Sequence, residues 1–230
     1  MAHFLLVHGA CAGGWVWRDL ASALRERRHH VEVVGRLASA GPDAGALGNL
    51  SDDADLLRRT LDRTEGKVIV VGHSYGGMVV TEVADHPAVS HSVYLAAFWP
   101  RPGQSLTDLV GGAPLPDWFV ARPDGSLHIT EDLDEARAAL CADLSPRSAS
   151  WMLRQMVLQS AVSFQERATA PDRNHDATYL VCERDAAIPP AAQATMSAPA
   201  DDVQRLHCAH MAQLSAPGHL AELLSRIPPQ

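Results

Sequence analysis

Short runs of consecutive apolar residues recur along the chain and predict strands that are buried on both faces. Residues 4–7 and 68–71 are two such runs, and each ends at a glycine-containing turn. An uninterrupted apolar run is typical of a strand covered on both sides, whereas strict alternation indicates one face in water. Similar runs lie at residues 31–34, 93–97 and 178–182, and a short strand is predicted near residues 203–206.

Helical patterns separate these runs. Residues 15–27, 51–63 and 75–84 each present apolar side chains at i, i+3 and i+4 spacing. Ser51, which precedes Asp52 and Asp53, is the predicted N-cap of the second helix. Because strand and helix alternate, the predicted fold class is α/β, with a doubly wound, mainly parallel sheet of about six strands.

The alternation stops after residue 98. Residues 99–171 carry seven of the fifteen prolines and no clear signal of a buried strand. We therefore predict a core in two parts, residues 1–98 and 172–230, with a mainly helical cap inserted at 99–171. Helices are predicted within the cap at about 132–141 and 146–159, and in the second part of the core after Pro189 and at 217–225.

Composition and charge narrow the function classes. Lys plus Arg number 19 against 27 Asp plus Glu, for a net charge of −8, which argues against nucleic acid and anionic membranes as partners. No apolar run approaches the roughly 18 residues of a membrane span, and the first residues lack the basic region of a signal peptide, so we expect a cytoplasmic protein. The four scattered cysteines predict neither a zinc site nor disulfides.

The segment Gly72-His73-Ser74-Tyr75-Gly76 carries the strongest chemical signal. It follows a predicted buried strand and precedes a helix, which is the context of a G-x-S-x-G nucleophile elbow. Such a turn lifts a serine hydroxyl above the carboxyl edge of the sheet, where ligands bind in α/β proteins. A glycine-rich turn without chemistry is the alternative.

A serine nucleophile needs a base and an acid, and in this arrangement both come later in the chain. Asp185 follows the predicted strand at 178–182, and His210 follows the one at 203–206. Glu183 and His207 are the alternatives, but both lie closer to a strand end.

Backbone N–H groups must also stabilise the oxyanion of the tetrahedral intermediate. The amides of Ala10, after the first strand, and Tyr75, after the serine, are the candidates. The neighbouring His8 and His73 are expected to shape the two loops rather than to transfer protons.

With these residues in view, the chain resembles the α/β-hydrolases, and within them the methylesterase and hydroxynitrile lyase group with its salicylate-binding esterase-type proteins. The resemblance implies a sheet that starts directly at residues 4–7 and a cap over Ser74. It also implies that Ser74, Asp185 and His210 form the triad and that Ala10 and Tyr75 form the oxyanion hole. The matching segments are FLLVHGAC (4–11), GGWVW (13–17), VGHSYGGM (71–78), YLAAF (94–98), DLSP (143–146), DAAIP (185–189) and HMAQLS (210–215).

Two positions depart from the lyases that the chain otherwise resembles. Those enzymes place a threonine and a lysine where this chain has Gly9 and Met211. Cyanide lyase activity is therefore not expected.

The predicted function is hydrolysis of a carboxylic ester or lactone with an apolar portion, and neither a metal nor an organic cofactor is expected. Trp118, Phe119 and Trp151 in the cap are the candidate pocket residues. The expected partner is a small-molecule substrate, and a homodimer is left open. Two alternatives remain: a lyase or cyclase step on a natural-product substrate at the same site, and a small-molecule receptor.

Overall fold

The computed structural model describes residues 1–228, which form one central parallel sheet, a small antiparallel sheet and helices around both. The strands are β1 (His3–Val7), β2 (His30–Val33), β3 (Ala40–Gly41), β4 (Val68–His73), β5 (Val89–Leu95), β6 (Phe119–Ala121), β7 (Ser126–Ile129), β8 (Leu158–Ser160), β9 (Asp176–Cys182) and β10 (Asp202–Leu206). The α-helices are α1 (Arg18–Glu26), α2 (Leu50–Leu61), α3 (Gly76–Glu82), α4 (Leu106–Leu109), α5 (Leu133–Leu140), α6 (Pro146–Leu153), α7 (Val162–Gln165), α8 (Pro190–Met196), α9 (Ala212–Ser215) and α10 (Pro217–Ser225).

The central sheet confirms the predicted fold class. Its six strands have the order β10-β9-β5-β4-β1-β2, and every neighbouring pair is parallel. From β1 the chain moves outward to β2, then returns to β4 and continues in the opposite direction. The loops that follow β1 and β4 therefore flank the point where the direction reverses, which is the usual ligand site in such sheets.

Both faces of the sheet are buried, as the uninterrupted apolar runs predicted. Along β1, Phe4 and Leu6 pack into one hydrophobic cluster with α1 and α10, while Leu5 and Val7 pack into another with α2 and α3. Side chains alternate between the two faces of a strand, so one continuous apolar run serves both clusters. None of the helices within residues 1–228 has the length and apolarity to cross a bilayer.

Helix α2 begins one residue earlier than predicted, and its N-cap is Asn49 rather than Ser51. The Asn49 side chain accepts a hydrogen bond from the Asp52 amide, and the Asp52 carboxylate accepts one from the Asn49 amide. This reciprocal pair is a capping box. Ser51 instead donates its hydroxyl to Glu166 of the insert.

The inserted segment is less helical than predicted. It contains helices α4 to α7, but also β6, β7 and β8, which join β3 in an antiparallel sheet of order β3-β8-β7-β6. The helix predicted at 146–159 ends at Leu153, and β8 begins at Leu158. Strands of three or four residues have too few positions to produce a recognisable period, so the sequence pattern missed them.

Candidate active site

Ser74 lies at a sharp turn between β4 and α3. Its φ of +53° is in the left-handed region, which costs a non-glycine residue on the order of 1–3 kcal/mol. The Leu95 carbonyl accepts from the Ser74 amide at 3.3 Å, and the Ser74 carbonyl accepts from the Phe98 amide at 3.1 Å. These bonds to the last residue of β5 and to the segment after it hold the strained conformation.

Glycine at position 76 is required by close packing. A Cβ added there would lie 2.7 Å from the carbonyl oxygens of both Val7 and His8. Helix α3 therefore begins directly against the end of β1, and the turn at Ser74 comes next to the loop that carries Ala10.

Asp185 lies in the loop after β9, and both of its carboxylate oxygens have polar contacts. Oδ1 accepts from the amides of Ala187 and Ile188, each at 2.8 Å. Oδ2 contacts Nδ1 of His210 at 2.7 Å and accepts from Nε2 of Gln193 at 3.1 Å. Because the Asp185 side chain is fully buried, these donors replace the water that an ionised carboxylate would otherwise require.

The structure brings His210 to the same cavity as Ser74. Nδ1 of His210 is occupied by Asp185, so a neutral ring has its proton there and a lone pair on Nε2. Within residues 1–228 the Ser74 hydroxyl makes no hydrogen bond. The hydrogen bond between a catalytic serine and its histidine is often long until substrate binds.

The two neighbouring histidines are buried and neutral. Burial lowers the pKa of His8 to about 4, and its Nε2 accepts from the Leu37 amide at 3.1 Å. Burial, and then the charge of a protonated His210, lower the pKa of His73 well below its ordinary value. The Nε2 of His73 donates to the His210 carbonyl at 3.0 Å. Both histidines thus have loop-shaping contacts, as expected.

The alternative acid and base lie elsewhere. His207 is largely exposed, and its ring contacts the half-exposed Glu183 at 3.5 Å. Neither residue lines the cavity that contains Ser74.

The predicted oxyanion donors, Ala10 and Tyr75, both line the cavity beside Ser74. Among the described residues, neither backbone N–H donates a hydrogen bond to a protein acceptor. Two free amides at the reversal point of the sheet can therefore bind an oxygen that becomes negative.

The cavity has two chambers that meet at Ser74 and His210. The larger is about 100 Å³ and the smaller about 30 Å³, and Trp118 and Phe119 line both. The apolar lining of the larger chamber also includes Phe98, Leu106, Val110, Ala113, Pro114, Leu115, Pro116, Phe164 and Ile188. An open groove of about 510 Å³ beside Arg36 and Arg59 is bigger, but it contains neither Ser74 nor His210.

Trp151, the third predicted pocket residue, does not line either chamber. Its indole packs edge-on against Trp15, with ring centroids 5.5 Å apart, and the Arg18 guanidinium lies 5.4 Å from its ring centre. The side chain therefore joins α6 to the segment before α1.

Comparison with known proteins identifies the family. Residues 4–223 match the sequence profile of the Alpha/beta hydrolase family. The chain belongs to this family.

Similar proteins of this family have names that denote esterases. The hydrolase is 42% identical over 134 residues to the carbendazim hydrolyzing esterase of Nocardioides sp. (strain SG-4G). The aligned region covers 56% of this chain and 54% of that esterase. It is 30% identical over 253 residues to Methylesterase 7 of Arabidopsis thaliana, covering 97% and 95% of the two chains. The crystal structure of polyneuridine aldehyde esterase superposes with a TM-score of 0.84 at 22% identity, over 99% of each chain. These relatives confirm the resemblance to methylesterases.

Two residues that the sequence did not single out support Asp185 and the loop that carries Ser74. Gln193 on α8 donates to Asp185 and to the Ile188 carbonyl, and its Oε1 accepts from the Cys182 amide at 2.9 Å. Gln193 therefore fixes the loop around Asp185. No local pattern distinguishes this glutamine from a surface residue.

Asp53, the second such residue, is a fully buried carboxylate on α2. Its Oδ2 accepts from the Tyr75 hydroxyl at 2.7 Å, and its Oδ1 accepts from the Ser39 amide at 2.9 Å. Gln159 donates to the Ser39 hydroxyl at 2.8 Å and accepts from the Cys11 amide at 3.2 Å. These residues, here called the Asp53 network, connect the loop after Ala10 to the Tyr75 side chain.

Proposed function

We propose that this hydrolase cleaves a carboxylic ester or lactone with an apolar portion through an acyl-enzyme on Ser74. One observation carries the proposal: the buried Asp185 contacts His210 at 2.7 Å, and His210 faces the same cavity as Ser74. An acid that holds a histidine beside a serine at a nucleophile elbow is the arrangement that acyl transfer requires.

The Asp185–His210 contact defines the first step. Asp185 holds the Nδ1 proton, so Nε2 of His210 takes the proton of the Ser74 hydroxyl as the oxygen attacks the acyl carbonyl. The imidazolium that forms is stabilised by the Asp185 carboxylate, which remains ionised. His210 then returns the proton to the departing alcohol and later activates the water that hydrolyses the acyl-enzyme.

The amides of Ala10 and Tyr75 stabilise the tetrahedral intermediates. The carbonyl oxygen becomes negative as Ser74 attacks, and two N–H groups already present at that point do not have to reorganise. One such donor is worth roughly 2.7–4 kcal/mol of transition-state stabilisation.

The two chambers suggest how an ester is bound. An ester bond at Ser74 has one substituent on each side, and Ser74 and His210 line both chambers, of about 100 and about 30 Å³. We assign the bulkier apolar group to the larger chamber and a small alcohol group to the smaller one. Relatives named Methylesterase 10 and Methyl jasmonate esterase 1 are consistent with a small alcohol portion.

Hydrolysis of p-nitrophenyl esters of increasing acyl length tests the proposal. We expect the wild type to show a burst of p-nitrophenol followed by steady turnover, and Ser74→Ala to lose both. His207→Ala is the matched control, since this exposed histidine lies outside the cavity and its loss should leave the rate unchanged. A folded wild type that hydrolyses no ester, or an active Ser74→Ala, would contradict the proposal and favour another reaction or a receptor role.

A further inference from the structure

Two histidines and one glutamate lie together at the edge of the central sheet. His3 begins β1, and His30 and Glu32 lie on the edge strand β2. The parallel register pairs His3 with His30, and Glu32 follows two residues later on β2. Because side chains alternate along a strand, all three project from the same face of the sheet.

Two of the three distances between their ligand atoms are close to those of a tetrahedral metal site. The Oε1 of Glu32 lies 3.0 Å from Nε2 of His3 and 3.6 Å from Nε2 of His30, and all three atoms are within 4.8 Å of one another. Zinc bonds to imidazole nitrogen and carboxylate oxygen are roughly 2.1 Å long, so two ligands on a tetrahedron are about 3.4 Å apart. The two measured distances lie on either side of this value.

The contact between His3 and Glu32 is close without being a hydrogen bond. Within residues 1–228 the Nε2 of His3 is buried and has no hydrogen-bond partner, although the Glu32 oxygen lies 3.0 Å away. The two atoms are therefore near each other but not aligned as donor and acceptor. Among the described residues, the Nε2 of His3 is therefore available to a metal ion.

We propose that His3, His30 and Glu32 bind a zinc ion through two imidazole nitrogens and one carboxylate oxygen. Calcium and magnesium prefer oxygen ligands throughout, whereas this mixed nitrogen and oxygen set suits zinc. The fourth position belongs to water, because the His30 and Glu32 side chains are 64% and 37% exposed.

The site is separate from the proposed ester chemistry. His3 and His30 begin their strands, whereas Ser74 follows the end of the parallel strand β4, so the two sites lie at opposite ends of the sheet. The ion would instead connect the four-residue edge strand β2 to β1. Its expected effect is on the stability of this edge, and it does not depend on the proposed function.

Zinc binding by the full chain tests the proposal. The protein is treated with EDTA, dialysed and titrated with ZnCl₂ in a calorimeter, and its thermal unfolding is followed with and without the ion. We expect one zinc per chain and a higher Tm, because an ion that binds only the folded state stabilises it. His30→Ala and Glu32→Gln should each weaken binding by on the order of 100-fold or more, since even loss of an outer-shell partner costs about 10–100-fold.

The matched control is His207→Ala. His207 also contacts a glutamate, at 3.5 Å from Glu183, but belongs to no group of three such ligands among the described residues. The His207→Ala variant should bind zinc as the wild type does. Visible absorption of bound Co²⁺ gives a second readout, expected in the wild type and absent in Glu32→Gln. No saturable binding by the wild type, or unchanged binding in a folded His30→Ala, would overturn the proposal.

Discussion

Removing the Tyr75 hydroxyl tests the Asp53 network. The expected loss of stability depends on pH, which distinguishes it from the general effect of a mutation in the core. In Tyr75→Phe a single buried oxygen is removed and the ring remains. The variant leaves Oδ2 of Asp53 with Ser39 as its remaining partner. Because Asp53 is buried, water does not readily replace the lost donor.

The expected cost depends on the charge of Asp53. Burial raises the pKa of this carboxyl to about 6, and hydrogen bonds from Ser39 and Tyr75 oppose the shift. Folding therefore favours the protonated form, so the stability that Asp53 contributes is complete below its unfolded pKa of about 3.9 and is lost as pH rises through about 6. A shift of about two pKa units corresponds to a loss of about 3 kcal/mol across that window.

The Tyr75 hydroxyl limits this loss because it stabilises the ionised form. At about pH 7.5 a hydrogen bond to a charged partner is worth about 1.5–3 kcal/mol, so Tyr75→Phe should lose about that much stability. At about pH 5, where Asp53 is mostly protonated, the loss should fall to about 0.5–1.5 kcal/mol, the worth of a neutral hydrogen bond.

Urea unfolding of the wild type and the variant at the two pH values measures this difference. Tyr94→Phe is the control, since the buried Tyr94 hydroxyl contacts the neutral Thr81 hydroxyl at 3.0 Å. Its cost should be the same at both pH values. If Tyr75→Phe is equally destabilised at both, or behaves as Tyr94→Phe does, Asp53 is not the charged partner of Tyr75.

Three further predictions address the acid, the elbow and the pocket. Asp185→Asn should keep the circular dichroism spectrum but lower kcat by about 10⁴-fold, because the His210 tautomer is no longer held; unchanged turnover would refute Asp185 as the acid. Gly76→Ala should destabilise the protein by about 1–3 kcal/mol or more in urea unfolding, since its Cβ would lie 2.7 Å from two carbonyl oxygens. Gly218→Ala, with no heavy atom within 4 Å of the added Cβ, should cost nothing. Phe164→Ala should enlarge the larger chamber and raise kcat/KM for longer acyl esters relative to acetate; a parallel fall for all esters would place Phe164 outside the acyl site.

Local patterns were sufficient for the central sheet and for the order of the candidate triad. A strand that is buried on both faces needs apolar residues at consecutive positions, so β1, β4 and β9 are visible in the sequence without reference to their neighbours. The elbow around Ser74 is equally local, because a strand, a strained turn and close packing against β1 each require particular residue types within five positions. The order of residues along the chain then predicted Asp185 as the acid and His210 as the base.

The tertiary structure decided which distant residues meet. Gln193 reaches Asp185, and Asp53 reaches Tyr75, through contacts between elements that carry no shared sequence signal. Likewise, His3 and His30 are 27 positions apart and become neighbours only through the β1–β2 register. The same reason applies to Trp151, which belongs by residue type to an apolar pocket but packs against Trp15 instead. Periodicity and turn chemistry act over a few residues, whereas partners across the fold depend on how whole elements pack, and this information is not contained in any one segment.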